Sequence, residues 1–360
     1  MTALLTTLIP AYKPDHLGEV FASLQRQSWQ DFRVIVSDDS PDAQITRLIR
    51  DGRFGRLHEH LHLTVVRGPG NARRNHERLI DLWAGQTPLV HLLMDDDIVF
   101  PDFYRTHLAA HAAADIGASI TPRWLSQADG RPAWSLPLPE FITSSPLHHI
   151  TLTPEQLFQS TLPSGSNWLG ELSHIVLSAS AAQRFPRPPQ GCLNYYGLMD
   201  ISALLEAGSH QPLVFIRECQ GVFRQHGEQN TRSRGSHGHR VAMLVWAAMA
   251  LHAWTEGRLS ASQTVQAVST AVQRCLALYG ETDEVMNRFY ALVSGCHGLA
   301  ALHGEFSRFW LALLASHPST APAEAARAGA PTGASAATAA PGMPGAPSAT
   351  PATELACTLG

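Results

Sequence analysis

The stretch "LVHLLMDDDIVFPDFY" at residues 89–104 decides how this chain is read. A run that is apolar except for His91 ends in Asp95, Asp96 and Asp97, and a second apolar run resumes at once. Adjacent carboxylates repel one another and are costly to desolvate, so three of them directly behind a buried strand call for a counter-charge. A hard divalent cation, Mg2+ or Mn2+, would supply it. Such ions take oxygen ligands, commonly one or two carboxylates together with substrate phosphates. The plain alternative is an acidic surface turn with solvated side chains.

Upstream, "LLTTLI" (4–9) reads as a short buried strand. Leu17, Val20, Phe21 and Leu24 then recur at helical spacing behind Pro14, with Asp15 as the expected cap. "FRVIVS" (32–37) is a second strand that stops at Asp38-Asp39-Ser40-Pro41. "QITRLIRD" suggests a helix, "HLTVV" (62–66) a third strand, and "RGPGN" a turn. A helix from about Ala72 to Trp83 leads to "LVHLLM", the fourth strand. Strands and helices alternate, and the strands are apolar throughout. This predicts an α/β fold with a mostly parallel sheet covered by helices on both faces. Tyr12 and Lys13, Asp38 and Asp39, and Asp95 to Asp97 all follow C-terminal strand ends, the edge at which open α/β sheets bind ligands. Three separate loops make one site.

The 360 residues suffice for one large core with an appended smaller unit. With 44% hydrophobic and 16% charged residues the composition is that of an ordinary globular protein, and a net charge of −4 gives no sign of a nucleic-acid surface. Cys192, Cys219, Cys275, Cys296 and Cys357 show no short paired spacing, which argues against a disulfide framework or zinc site and fits a reducing compartment. The start has no basic leader region and reads as a strand rather than a signal peptide. The longest apolar segment, "VAMLVWAAMALHAW" (241–254), is too short to span a bilayer. A cytoplasmic protein without a transmembrane segment is expected, with peripheral membrane contact left open.

"HIVLS" (174–178) and "PLVFIRE" (212–218) read as strands flanking the helical "LMDISALLEAG" (198–208). From 238 the pattern is helical, with breaks expected near Gly257, Gly280 and Gly304. These helices carry little charge, so burial against the preceding domain or a second copy of the chain is favoured over lipid. From 318 an Ala/Pro/Gly/Ser/Thr tail lacks large apolar residues, and disorder is expected.

Three segments, "TLIPAYKPDHLGEVFASLQRQSWQDFRVIVSDDSPD", "ARRN" and "LLMDDDIVFPDFY", resemble in their order and spacing the nucleotide-sugar half of family 2 glycosyltransferases. The resemblance implies a GT-A (Rossmann-like) domain over 1–237, with a nucleotide-sugar-binding half at 1–110 and an acceptor half at 111–237. A helical extension at 238–317 and the tail at 318–360 follow. It implies that Pro10, Ala11 and Tyr12 line the nucleoside pocket, that Asp39 hydrogen-bonds the base, often uracil, and that Arg74 lies near the diphosphate. Aligned on Pro101, Asp96 takes the usual metal position and Asp95 contacts the ribose or diphosphate. A shifted register makes Asp95 and Asp97 the ligand pair.

"NWLGELSHIVLS" resembles the strand region where a Gly-Glu pair, here Gly170 and Glu171, lines the acceptor side. "YYGLMDISALLEAG" resembles the segment whose acidic residue opens a helix beneath the sugar, leaving Asp200 with Met199 beside it. "VFRQHGEQNT" resembles the closing strand and loop, with Arg224 and with His226 near the metal or diphosphate. An inverting transfer needs a base for the acceptor hydroxyl. Asp200 is the first candidate, and an N-cap role is its structural alternative. Glu171 is the second candidate. The remaining histidines, including those in "LHHI" and "SHGH", read as surface residues. Trp124, Trp134 and Trp168 suit either sugar stacking or core packing.

The resemblance implies a nucleotide-sugar donor, a sugar, lipid-linked sugar or protein acceptor, and a role in bacterial surface polysaccharide or glycoconjugate synthesis. Met94 and Met199, at acidic positions of the family pattern, leave open a non-catalytic binding or scaffold protein. A nucleotidyltransferase is disfavoured, because "IPAYKPDHLG" lacks a Gly-rich basic signature.

Overall fold

The computed structural model describes residues 3–55, 61–127, 129–185, 198–225 and 235–316. His226 and the tail at 318–360 lie outside the described residues.

The first half runs β1 (Leu5–Ala11), α1 (Leu17–Gln25), β2 (Phe32–Asp38), α2 (Gln44–Arg50), β3 (His62–Arg67), α3 (Ala72–Trp83), β4 (Leu89–Leu92), β5 (Ile98–Val99) and α4 (Phe103–Ala113). There follow β6 (Ala118–Ile120), β7 (Trp124–Ser126), β8 (Pro132–Trp134), α5 (Glu140–Thr143), β9 (His149–Leu152), α6 (Pro154–Thr161), β10 (Ile175–Ser178), α7 (Ala179–Gln183), α8 (Met199–His210), β11 (Leu213–Ile216) and β12 (Gly221–Arg224). The chain then continues as α9 (His237–Thr255), α10 (Ala261–Tyr279), α11 (Glu284–Gly295) and α12 (Leu299–Ala315).

The large sheet has the order β3-β2-β1-β4-β10-β6-β11-β9, and a small sheet has the order β5-β12-β7-β8. In the large sheet only β10 and β9 run against the rest. This is the mostly parallel sheet between helices that the sequence predicts, with the helical C-terminal extension in place.

Why the sheet takes this form follows from its strands. Along β1, Leu5, Ile9 and Ala11 feed a cluster with Val34, Val36, Phe103 and Tyr104. Leu8 points into another cluster with Val90, Ile120 and Phe215. A strand buried on both faces carries apolar residues without alternation. β3, at the edge, is the exception, and its residues are exposed or half-buried.

The cluster around Leu8 continues without a break into the C-terminal helices through Trp246, Phe289, Phe306 and Trp310. α9 is buried on almost every side, as a helix that is hydrophobic all round must be. Thr270 Oγ1 donates to the Pro163 carbonyl at 3.0 Å, tying α10 to the segment that follows α6. Among the described residues no helix is long and apolar enough to cross a membrane.

Three local expectations need correction. His16, not Asp15, precedes α1 as its cap residue and makes no side-chain cap bond, because Leu17 N already bonds back to Pro14 O and closes a turn over Asp15. The last helix break falls at Cys296–Gly298, where Gly298 has φ +84, while Gly304 lies inside α12. The histidines are not uniformly on the surface: His91, His107, His174 and His239 are buried.

Candidate active site

The strand order reverses between β1 and β4, the kind of switch point at which open α/β sheets bind ligands. β1 stays paired with β2 as far as Ala11 and Asp38, but its pairing with β4 ends at Leu8 and Leu92. Pro10, without an N–H, cannot extend that ladder. The gap is closed by a side chain instead. Asp95 Oδ2 accepts from Tyr12 N at 2.7 Å and from Lys13 N at 2.9 Å. Burial, with Asp96 beside it, raises the Asp95 pKa to about 6 against the pull of those two N–H groups. Tyr12 itself is 55% exposed just beyond the end of β1.

The two aspartates after β2 do different work. Asp38 is consumed by its own loop, accepting from Ser40 N and Oγ and from Thr46 N and Oγ1. Burial works to raise its pKa, but these bonds outweigh it and hold the carboxyl below its ordinary value. Asp39 reaches across to the next loop, where its Oδ1 accepts from Gly70 N at 2.5 Å. A Cβ on Gly68 would lie 2.3 Å from that same oxygen, so the approach needs glycine there. Arg74 stands exposed in the first turn of α3, whose start is capped by Asn71 Oδ1 accepting from Arg74 N at 3.0 Å.

Asp97 points the other way from solvent. It is wholly buried, and its Oδ1 accepts from Arg224 N at 3.0 Å. Its Oδ2 is buried and makes no hydrogen bond of ordinary geometry among the described residues, although the Ser173 hydroxyl lies near enough to the carboxyl to favour its charged form. Burial and the neighbouring Asp96 push its pKa well up. Asp96 is half-buried between the two, and its carbonyl accepts from Arg224 Nε at 2.9 Å. Arg224, 1% exposed, also pairs through Nη2 with Glu19 Oε2 at 2.7 Å. The small sheet thereby clamps the acidic loop.

Beyond the acidic loop, Glu171 forms an ion pair with the buried Arg123, whose Nη2 donates to Oε1 at 2.8 Å while Nε lies 2.5 Å from Oε2. Asp200, in the first turn of α8, accepts from Asn167 Nδ2 at 2.9 Å through Oδ2. It makes no side-chain cap bond, since the cap position belongs to Leu198. Burial raises the Asp200 pKa to about 6, the charge of Glu171 adds to the rise, and Arg123 opposes it. Met94 N donates to Ser173 Oγ at 3.0 Å, which ties the segment that follows Glu171 to the acidic loop.

Pro10, Ala11, Tyr12, Asp39, Asp95, Asp96 and Asp97 therefore gather at one sheet edge, with Glu171 and Asp200 beside them. Arg123 and Asn167 went unread in the sequence. A single Arg in "TPRW" and a single Asn in "SNWLG" carry no periodicity or motif that marks them. Trp168 is 1% exposed and belongs to the core, while Trp124 and Trp134 are exposed on β7 and β8.

No protein-family model matches the chain, and no curated protein matches it. Solved structures do resemble it. The crystal structure of S. aureus TarS 1–349 matches with a TM-score of 0.52 at 13% identity, over 80% of this chain and 79% of that one. The complex of TarS 1–349 with UDP-GlcNAc gives 0.52 at 13% identity, over 87% and 90% of the two chains. The UDP complex gives 0.50 at 14%, over 78% and 74%. Against a longer S. aureus TarS structure the chain spans 43% of that protein's length. The shared architecture is a glycosyltransferase fold of the GT-A type.

Proposed function

We propose that this chain is a metal-dependent, inverting glycosyltransferase of the family 2 type. It moves a sugar from a nucleotide-sugar donor, by default a UDP-sugar, to a hydroxyl of a sugar, lipid-linked sugar or protein acceptor. The observation that carries the reading is the switch point between β1 and β4, where Asp95 bridges to the main chain of Tyr12 and Lys13. That bridge fixes the acidic loop to the end of β1, and Asp200, a half-buried carboxylate whose pKa is raised to about 6, supplies the base.

On the donor side, Tyr12 offers an exposed ring to the base at the end of Pro10 and Ala11. Asp39 offers a carboxylate held in place by Gly70. Arg74 and Asp95 flank the sugar and diphosphate region. The buried Oδ2 of Asp97 and its neighbour Asp96 are hard oxygen donors of the kind Mg2+ or Mn2+ takes. Among the described residues no three potential ligands cluster. Asp96 and Asp97 would thus hold the ion with substrate phosphates completing its shell, and His226 is a candidate third ligand. When bound, such an ion neutralises charge that develops on the diphosphate leaving group.

The chain's own chemistry is proton removal. Asp200 accepts the proton of the acceptor hydroxyl as that oxygen bonds to the anomeric carbon and the bond from carbon to the diphosphate oxygen breaks. Attack from the face opposite the leaving group inverts the centre. A carboxylate near pKa 6 is largely ionised at neutral pH yet basic enough to take the proton. Turnover should therefore fall as pH drops through about 6.

We place this activity in the cytoplasm, in bacterial surface polysaccharide or glycoconjugate synthesis. One observation favours a second reading, a binding or scaffold protein of the same fold. Met94 and Met199 pack half-buried against the core where the family pattern has acidic residues.

Calorimetry with UDP, GDP and dTDP, each with and without Mn2+, separates the two readings when followed by hydrolysis of the corresponding nucleotide sugars. Metal-dependent binding of one nucleotide, lost in Asp96→Ala, with slow sugar release by wild type, supports the enzyme. Binding without any turnover favours the scaffold. No binding to any nucleotide removes both.

A further inference from the structure

Two half-buried carboxylates, Glu171 and Asp200, stand near the acidic loop, and only one can be the base. Their surroundings differ in kind. Glu171 has both oxygens against the guanidinium of Arg123, which is 4% exposed and also donates to the carbonyls of Asn167 at 3.2 Å and Trp168 at 3.5 Å. The pairing rests on one hydrogen bond, Nη2 to Oε1, and on the close approach of Nε to Oε2, which makes no hydrogen bond. A carboxylate so paired has its charge compensated by the guanidinium. Asp200 is held by an amide instead.

The orientation of that amide is determined by its other partner. Gly170 N donates to Asn167 Oδ1 at 3.1 Å, and an N–H can only donate, so the amide oxygen must face Gly170. The NH2 group is then turned to Asp200, at 2.9 Å from Oδ2. A donor on that oxygen favours the ionised carboxylate. Gly170 has φ +125, a backbone conformation that keeps this N–H pointing back at Asn167 and that other residues rarely adopt.

We propose that Arg123 and Asn167 are positioning residues that divide the labour of the two carboxylates. Arg123 locks Glu171 out of proton transfer, and Asn167 presents Asp200 as an ionised, oriented base. The inference rests on the reading of Asp200 as the base in glycosyl transfer. The charged groups that act on Asp200 are Glu171 and Arg123, with the backbone N–H groups of Ile201 and Asp200 beside them, and Asp97 acts in turn on the same neighbourhood through Glu171.

The test is a 13C NMR titration of the Asp200 carboxyl in the full, metal-free chain labelled at aspartate, with Asp200→Asn giving the assignment. In wild type the midpoint should lie at about 6. Arg123→Met leaves the Glu171 charge unopposed and should move the midpoint up by about one pH unit. Glu171→Gln should move it down, and Asn167→Ala should move it up by a smaller amount. The double variant R123M/E171Q, which removes both charges, should fold and return the midpoint close to wild type. It covers the case in which a lone half-buried carboxylate in R123M prevents folding, and E171Q tests the same sign independently. A midpoint that stays put in both E171Q and N167A overturns the proposal.

Hydrolysis of UDP-GlcNAc with Mn2+ separates this inference from the reading beneath it. If D200N hydrolyses as fast as wild type, the base assignment fails, and the clamp fails with it as a catalytic device even if the midpoints move. If D200N is inactive and E171Q loses turnover as deeply, the base assignment stands and the division of labour falls. Loss in D200N with a far smaller loss in E171Q, and about a tenfold to hundredfold loss in N167A at unchanged UDP affinity, is the expected pattern.

Discussion

The two halves of the site hold their carboxylates by different means. On the donor side, Asp39 and Asp95 accept from the main-chain N–H groups of Gly70, Tyr12 and Lys13, and Asp97 accepts from Arg224 N. Glu171 and Asp200, the half proposed to face the acceptor, take their side-chain partners from Arg123 and Asn167, with the backbone N–H groups at the start of α8 also acting on Asp200. Main-chain donors come with the strand ends and stay whatever residues occupy them. Side-chain donors can be exchanged by a single substitution. A site built this way keeps the donor cradle constant and leaves the acceptor carboxylates open to tuning.

The largest effect that tests this contrast is expected at Asp200. Asp200→Asn should lower turnover by about a thousandfold while nucleotide affinity stays within about threefold of wild type. Transfer or donor-hydrolysis kinetics beside calorimetry would check it. If affinity falls as steeply as turnover, the two halves are not separable and the contrast breaks.

The seam between the halves should respond to acid. On β4, His91 Nε2 donates to the Ser173 carbonyl at 3.0 Å, leaving Nδ1 to accept from the Tyr104 hydroxyl at 3.2 Å. On α4, His111 Nε2 donates to the Val176 carbonyl at 3.2 Å. Burial pushes both rings down to about 4. In the unfolded chain they titrate near about 6.5, so between that pH and 4 the unfolded state binds protons the folded state refuses. Each ring should therefore contribute a loss of about 3 kcal/mol at the lower end of this window. Asp95 and Asp200 contribute in the opposite direction, because their raised pKa of about 6 makes the folded state take up protons first. Calorimetric melting from pH 8 to 4 would show it. His91→Gln, which keeps a donor for Ser173 without titrating, should remove that ring's share of the loss. A pH dependence of melting identical in His91→Gln and wild type would mean that the His91 ring is not held neutral in the seam.

How much of this was legible follows the same division. The donor side announces itself because each polar group sits one or two residues past an apolar strand, and the strand period places them at one edge. Even there the sequence could not separate Asp38 from Asp39. Only the fold shows that Ser40 and Thr46 consume the first while the second reaches Gly70. The acceptor side depends on pairs far apart in sequence, Arg123 with Glu171 and Asn167 with Asp200, which no local pattern encodes. The buried histidines were misread for the same reason. A polar side chain looks like surface until its partner, 82 positions away for His91 and Ser173, is known.

Gly68 tests the main-chain cradle by steric means. A Cβ there would also lie 3.2 Å from the Asp38 carbonyl carbon, so it meets backbone as well as a side chain. Gly68→Ala should cost about 1–3 kcal/mol in stability, and nucleotide affinity should fall about tenfold as Asp39 leaves Gly70. A variant with wild-type melting and wild-type UDP affinity would mean that the Asp39 contact is dispensable.

The smallest effect is expected where the donor half is most local. Asn71 caps α3 from within "GNARR", a contact spanning three residues. Asn71→Ala should cost about 1 kcal/mol, and Asn71→Asp or Asn71→Ser should restore most of it. A cost of that size, measured by denaturant unfolding, is what a purely local bond supplies, because no distant partner loses its own contact. A cost well above about 2 kcal/mol would show that the cap also holds the loop of Gly68 and Gly70 against Asp39. The donor cradle would then depend on a side chain after all, and the difference between the two halves would be one of degree.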